Sequence, residues 1–175
     1  EILIGLVGSE MCIRDRLISA FEILRRDHPD AILRLVGDGP MEAEVRIRVE
    51  HSPAREGIEM FPGTTDVRGH YSATRVFALS SIREGQPNVL IEAMACGLPV
   101  VGSNEGGLPE FINSSVGTLV SSNDEDAFCG AILEELAHSR EAPERRAFVA
   151  RYARENFAQE LFVTKLEDVY ASVLS

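Results

Sequence analysis

Two glutamates, Glu84 and Glu92, frame the most chemically suggestive string of the chain, EGQPNVLIEAMACGLPVV from Glu84 to Val101. Ionised carboxylates only accept hydrogen bonds, so they suit the hydroxyl groups of a sugar better than the oxygens of a phosphate. Between them lies Pro87, which has no N–H to lose and a φ already near the helical value. Its place predicts a helix opening at about Pro87. The first free backbone N–H groups, at Asn88 and Val89, then leave the helix end beside Gly85, a place for a phosphate oxygen. At ~100° per residue, Val89, Leu90, Ala93 and Met94 share one apolar face, with Asn88 and Glu92 on another. Hydroxyl acceptors beside a phosphate cradle predict a ligand that carries both sugar and phosphate.

With 28 acidic residues in the chain, a bare pair at this spacing arises easily by chance. The weight rests on the surrounding residues: Ser80-Ser81-Ile82-Arg83-Glu84-Gly85, Pro87-Asn88, Glu92-Ala93-Met94-Ala95 and Gly97-Leu98-Pro99-Val100. Together they resemble the paired-glutamate E-x7-E motif of retaining glycosyltransferases with the GT-B fold, most closely glycosyltransferase family 4. The resemblance implies the C-terminal half of that fold, a single nucleotide-sugar-binding domain spanning residues 1–175. By the resemblance, Glu84 is the catalytic carboxylate, bonding the transferred sugar and supporting charge at its anomeric carbon. Glu92 accepts hydrogen bonds from the nucleotide ribose, and Gly85, Gln86, Pro87, Asn88 and Val89 hold the distal phosphate. Gly8 belongs to the first glycine-containing loop, while Phe61, Pro62 and Gly63 resemble a Phe-x-Gly segment that lies beside the base.

The implied reaction is hexosyl transfer from a nucleotide-diphosphate sugar to an acceptor, with retention and with neither cofactor nor metal. In the family the acceptor is held mainly by an N-terminal domain. This chain starts at Glu1 within a strand-like run and not at Met, and reads as a piece of something longer. The expectation is therefore an enzyme only as part of its parent, inactive alone. Two alternatives remain: a non-catalytic nucleotide-sugar-binding pseudo-transferase, and a nucleotide-sugar epimerase of the same fold.

One loop departs from the pattern. Family members run Val-Gly-Arg and then a short stretch ending Glu-Lys-Gly, whose cations reach the donor diphosphate. Here Val7-Gly8 is followed by Ser9-Glu10-Met11-Cys12-Ile13-Arg14-Asp15-Arg16 before Leu17, with no lysine and with Glu10 where positive charge is wanted. Each lost charge-assisted contact is worth ~1.5–3 kcal/mol. The choice lies between a decayed donor site and an error in the recorded sequence. Confinement of the oddity to about seven residues favours the error, and re-reading the coding DNA across residues 9 to 16 decides between them.

Composition narrows the field further. The 175 residues fit one domain, burying about two-thirds of its unfolded surface. A net charge of −11 argues against a nucleic-acid surface and against attraction to anionic lipid. No apolar run approaches the ~18 residues of a membrane span, and no leader is recognisable. The expectation is a cytoplasmic domain, with any membrane contact made by the other domain. Cys12, Cys96 and Cys129 form no C-x-x-C, and the four histidines form no H-x-x-x-H pair, so a metal site is not expected. Cys96 and Cys129 read as buried thiols on apolar helix faces.

The elements that must position these residues alternate. Apolar runs at Ile2–Val7, Ala31–Val36, Gly57–Phe61, Val76–Leu79, Pro99–Gly102 and Gly117–Val120 read as strands. Helix-period stretches separate them: one marked by Leu17, Phe21 and Leu24, Met41–Glu50, a start near Asp66, the Pro87 helix, and a turn at Leu108–Ile112. Repeated β-α units predict an α/β fold, a Rossmann-like parallel sheet with helices on both faces. After Val120 the pattern is helical: a capping box at Ser122–Glu125, an inward face of Phe128, Ile132 and Leu136, a break at Pro143, and a stripe of Phe162, Leu166, Val169, Tyr170 and Val173.

Minor motifs carry less. Gly37-Asp38-Gly39-Pro40 fails as a dinucleotide motif because Glu42 stands where glycine is needed, and reads as a turn placing Pro40 at a helix start. Asp66 reads as a helix cap and His70 as an isolated histidine. Gly102 to Gly107, with Glu110 beyond, resembles the family's Gly-Gly-x-x-Glu segment; its glycines either admit a ligand or close a tight turn.

Overall fold

A computed structural model describes residues 2–5, 11–81, 87–121, 123–141 and 143–174. Six strands form one sheet: β1 (Ile2–Gly5), β2 (Leu33–Val36), β3 (Ile58–Phe61), β4 (Val76–Leu79), β5 (Val100–Ser103) and β6 (Gly117–Val120). Every pairing is parallel and the order is β3-β2-β1-β4-β5-β6. The chain works outward from β1 to one edge, then returns to β4 and works outward to the other, the doubly wound arrangement of a Rossmann sheet. Ile2 sits at the centre, opposite Leu33 on one side and Val76 on the other.

These short runs become strands because both faces of a parallel sheet are covered. In β4 the alternation is visible residue by residue. Val76 and Ala78 point into one core, Phe77 and Leu79 into the other, and all four are buried. The first core takes Leu17, Phe21 and Leu24 of α1 (Met11–Asp27), Val45 and Val49 of α2 (Glu42–Glu50), and Phe128 and Ile132 of α5 (Glu125–Glu141). The second takes Tyr71 of α3 (Arg68–Ser72), Leu90, Ala93 and Met94 of α4 (Asn88–Ala95), and Val149 and Ala153 of α6 (Pro143–Phe157). The final helix, α7 (Gln159–Leu174), leaves Leu166, Val169 and Tyr170 exposed.

Helix α4 ends in a Schellman motif: the Leu98 amide donates to the Ala93 carbonyl at 3.0 Å and the Gly97 amide to that of Met94 at 2.8 Å. The motif needs a left-handed residue, and Gly97 has φ +80°. A side chain there would also press on α6, since a Cβ would lie 2.7 Å from the Arg146 carbonyl oxygen.

Several local expectations are corrected. Helix α1 starts by Met11, so residues read as loop up to Arg16 are helical, and Arg14 and Arg16 belong to the helix. Asp66 does not cap α3: the capping position is Val67, without a side-chain bond. The α5 cap is Asp124, whose Oδ1 accepts from the Ala127 amide at 2.8 Å, while Ser122, read as the head of the capping box, lies outside the described residues. Pro40 precedes α2 by two residues, with Met41 at the capping position. Cys129 is buried as expected, but Cys96 is exposed, because α4 has already ended at Ala95. Among the described residues, no helix is long and apolar enough to cross a membrane.

Candidate functional site

In a sheet of this order ligands settle beyond the carboxyl ends of the strands, where the chain's direction of travel switches, here between β1 and β4. In sequence, segment 6–10 follows β1 directly and segment 82–86 follows β4 after Ser80 and Ser81. Gly8, Glu84, Gly85 and Gln86 lie in them and so fall outside the described residues. The described surroundings begin with β4 itself, where the chain continues through buried Ser80 and Ser81. The buried Ser103 hydroxyl at the end of β5 donates to the Ser81 carbonyl, tying the two strand ends together.

Pro87 occupies the capping position of α4, one residue earlier in the helix than the sequence implies, with φ −81° and ψ 79°. Its carbonyl accepts from Leu90 at 3.0 Å and Ile91 at 3.2 Å, so helical bonding starts at those two residues. The amides of Asn88 and Val89 come before it, at the helix end that favours an anion. Asn88 is exposed and Val89 half-buried.

Glu92 emerges from the same helix on the side away from Leu90 and Met94. It is exposed, and its Oε2 accepts a hydrogen bond from the Tyr71 hydroxyl at 3.2 Å. That hydroxyl also lies 3.3 Å from the Val89 carbonyl oxygen. Tyr71 itself is 3% exposed, and its ring meets Phe77 edge-on at 6.1 Å. Burial, reinforced by the charge of Glu92 and the bond to it, pushes the phenol well above its ordinary range. It therefore stays a donor at any physiological pH. Beside this pair opens a cavity of about 600 Å³, lined by Asp66, Arg68, Tyr71, Glu92 and Cys96 among others. Burial raises the Cys96 thiol above its usual range, with Arg68 pulling the other way.

The third predicted segment sits at the end of β3. Phe61 is half-buried, edge-on to His70 at 4.8 Å, with the Arg34 guanidinium 5.7 Å above its ring. His70 is thus an aromatic neighbour of the segment and not an isolated residue. Pro62 and Gly63 are exposed. The Gly63 amide donates to Asp38 Oδ1 at 2.8 Å, and the Gly37 amide to the Phe61 carbonyl at 3.1 Å. The Gly-Asp-Gly turn after β2 therefore braces the loop after β3, a structural role. Gly102 has one too: a Cβ there would lie 2.5 Å from Ile112 Cδ1. Gly106, at φ +60°, closes the turn beyond it.

Thus the structure brings Glu92 together with Tyr71 and the loop before α3, and places Phe61 to Gly63 at a neighbouring strand end. Sequence reading missed Tyr71. The available signal was a tyrosine just before an apolar strand, since a buried phenol must find a partner for its hydroxyl. Among the described residues, no group of His, Cys, Asp and Glu is placed to hold a metal ion.

Comparison with known proteins now bears on this arrangement. The sequence profile of the family described as "Glycosyl transferases group 1" matches residues 14–156. A GDP-mannose-dependent alpha-(1-6)-phosphatidylinositol monomannoside mannosyltransferase of Mycolicibacterium smegmatis is 34% identical over 144 residues, covering 74% of this chain and 36% of that protein. The sucrose-phosphate synthase of Thermosynechococcus elongatus superposes with a TM-score of 0.78 and 28% identity, over 99% of this chain and 45% of that one. The pneumococcal O-GlcNAc transferase GtfA, solved with UDP and GlcNAc, gives a TM-score of 0.80 at 22% identity, over 99% and 36%. The chain spans about a third of the length of curated relatives such as the mannosyltransferase. The chain belongs to the glycosyl transferases group 1 family, and its doubly wound sheet is the C-terminal half of a GT-B fold.

Proposed function

We propose that this chain is the donor-binding domain of a retaining glycosyltransferase, one that moves a hexosyl group from a nucleotide-diphosphate sugar to an acceptor. The observation that carries the reading is Glu92: an exposed carboxylate, held through one oxygen by Tyr71, beside a cavity of about 600 Å³. Its free acceptor capacity suits the vicinal hydroxyls of a ribose. The helix end at Asn88 and Val89 suits the distal phosphate, where it would stabilise the charge left on the departing nucleoside diphosphate. Phe61, Pro62 and Gly63 are then base-side residues, and Gly8 belongs to the diphosphate loop. Glu84, with Gly85 and Gln86 beside it, is the proposed group for the transferred sugar. One relative's name specifies GDP-mannose, and one solved structure of the same fold holds UDP.

The acceptor is held mainly by a second domain of the parent protein, and residues 1–175 form the donor domain as one unit. The isolated chain then binds donor weakly and transfers nothing. A nucleotide-binding module without turnover is the second reading, favoured by the missing lysine and the acidic Glu10 ahead of α1. Ligand-observed NMR with UDP-, GDP- and ADP-sugars tests the first. Binding of one class is expected; silence toward all three would remove the donor-domain reading. Sugar transfer by the purified 175 residues would overturn the claim that they are inactive alone, and turnover by the parent separates transferase from module.

A further inference from the structure

We propose that Tyr71 is the positioning residue for Glu92, holding one carboxylate oxygen so that the other is fixed for the ribose of a nucleotide. This rests on the reading of Glu92 given above and adds a residue to it. Glutamate side chains turn about three torsions, and an exposed one samples many rotamers before a ligand selects one. Glu92 is exposed, yet its Oε2 is tied to a group from another element, the hydroxyl of α3's only tyrosine. The anchor is rigid: Tyr71 is 3% exposed and its ring rests edge-on against Phe77 of β4, interplanar angle 65°. Its single proton can go to Glu92 Oε2 at 3.2 Å or to the Val89 carbonyl at 3.3 Å. An ionised carboxylate is the stronger acceptor. The carbonyl alone would satisfy a buried phenol, so what the carboxylate contact adds is orientation of Glu92. Fixing a recognition group before the ligand arrives lowers the cost of ordering it on binding.

The test is calorimetric titration of the full chain with UDP, GDP and ADP and with their 2′,3′-dideoxy forms. Tyr71→Phe keeps the ring and its contact with Phe77, and thermal unfolding of the variant checks that the fold survives. The ribonucleotide that binds the unmodified chain should bind Tyr71→Phe about threefold to tenfold more weakly, the weight of one lost hydrogen bond. The dideoxy form should bind both proteins alike. Glu92→Ala should weaken the ribonucleotide about tenfold to a hundredfold, and the double variant no further. If Tyr71→Phe weakens ribo and dideoxy forms equally, its role is structural and the proposal fails. If Glu92→Ala alone shows the ribose-dependent loss, the Glu92 reading stands and the Tyr71 proposal falls. If none of the three ribonucleotides binds the unmodified chain, both fall.

Discussion

Two glutamates on the helices that flank the sheet meet opposite surroundings. Glu135, on α5, is 2% exposed and its acceptor positions are occupied: Arg145 Nη2 donates to Oε1 at 2.9 Å and to Oε2 at 2.6 Å, and the Thr118 hydroxyl to Oε1 at 3.1 Å. It joins α5 and α6 to the amino end of β6. Glu92, on α4, is exposed beside a cavity and has the Tyr71 hydroxyl on one oxygen. A carboxylate has about four acceptor positions. Filled from within the protein, they make a joint; left open at a cavity, they make a contact point for something else. The residue type is the same; the burial and the number of described donors differ.

The sharpest way to break that contrast is to remove each carboxylate and read both stability and binding. Glu135→Ala should lower unfolding free energy by about 3 kcal/mol, because Arg145 is left part-buried without its partner. Urea denaturation at neutral pH measures this, and nucleotide affinity should stay as it was. The converse is expected of Glu92→Ala: a loss of ~1.5–3 kcal/mol in nucleotide binding, with stability changed by about 0.5 kcal/mol or less. Crossed results, with Glu92 governing folding or Glu135 governing affinity, would overturn the division.

A third glutamate sharpens it. Glu22 of α1 bonds Arg48 of α2 at 2.7 and 3.0 Å and accepts from the Ser52 hydroxyl at 2.6 Å. Its hydrogen bond to Arg48 leads the causes that hold the carboxyl below its ordinary value of 4.5, against the opposing effect of burial. A group whose folded pKa is depressed contributes stability above its unfolded pKa and loses it as pH falls through the folded one. Stability should therefore decline below about pH 4.5. Arg48→Met should flatten that decline at a cost of about 1 kcal/mol at neutral pH, since the pair is partly solvated. Melting temperatures between pH 6 and pH 3 provide the check. The smallest effects belong to α7: Val169→Ser and Tyr170→Ser should each fall within about 0.5 kcal/mol in urea denaturation.

How much of this was legible in the sequence follows from the kind of interaction concerned. Val76–Leu79 and Val100–Val101 announce themselves because a strand buried on both faces must be apolar throughout. Pro87 marks a helix start through its own covalent geometry, though one residue off, because ψ 79° leaves it outside the helix. Asp66 was misread as a cap because many polar residues can cap, and the local chain path chooses among them. Glu135 escaped notice beside the inward-facing Phe128 and Ile132 because its partners, Thr118 and Arg145, are supplied by other elements. The Tyr71–Glu92 contact was hidden for the same reason: it exists only once α3 and α4 are docked side by side on the sheet.

From Gln159 to Ser172, every described side chain of α7 is exposed. A sixteen-residue helix is marginal on its own in water, and the described side chains of α7 add little burial to its backbone bonds. In amide hydrogen exchange the chain should therefore separate into two populations. The amides of β4 and β5, sealed between two cores, would exchange only through global unfolding. Those of α7 would open and close on their own, trading hydrogens for deuterons while the rest of the domain stays shut.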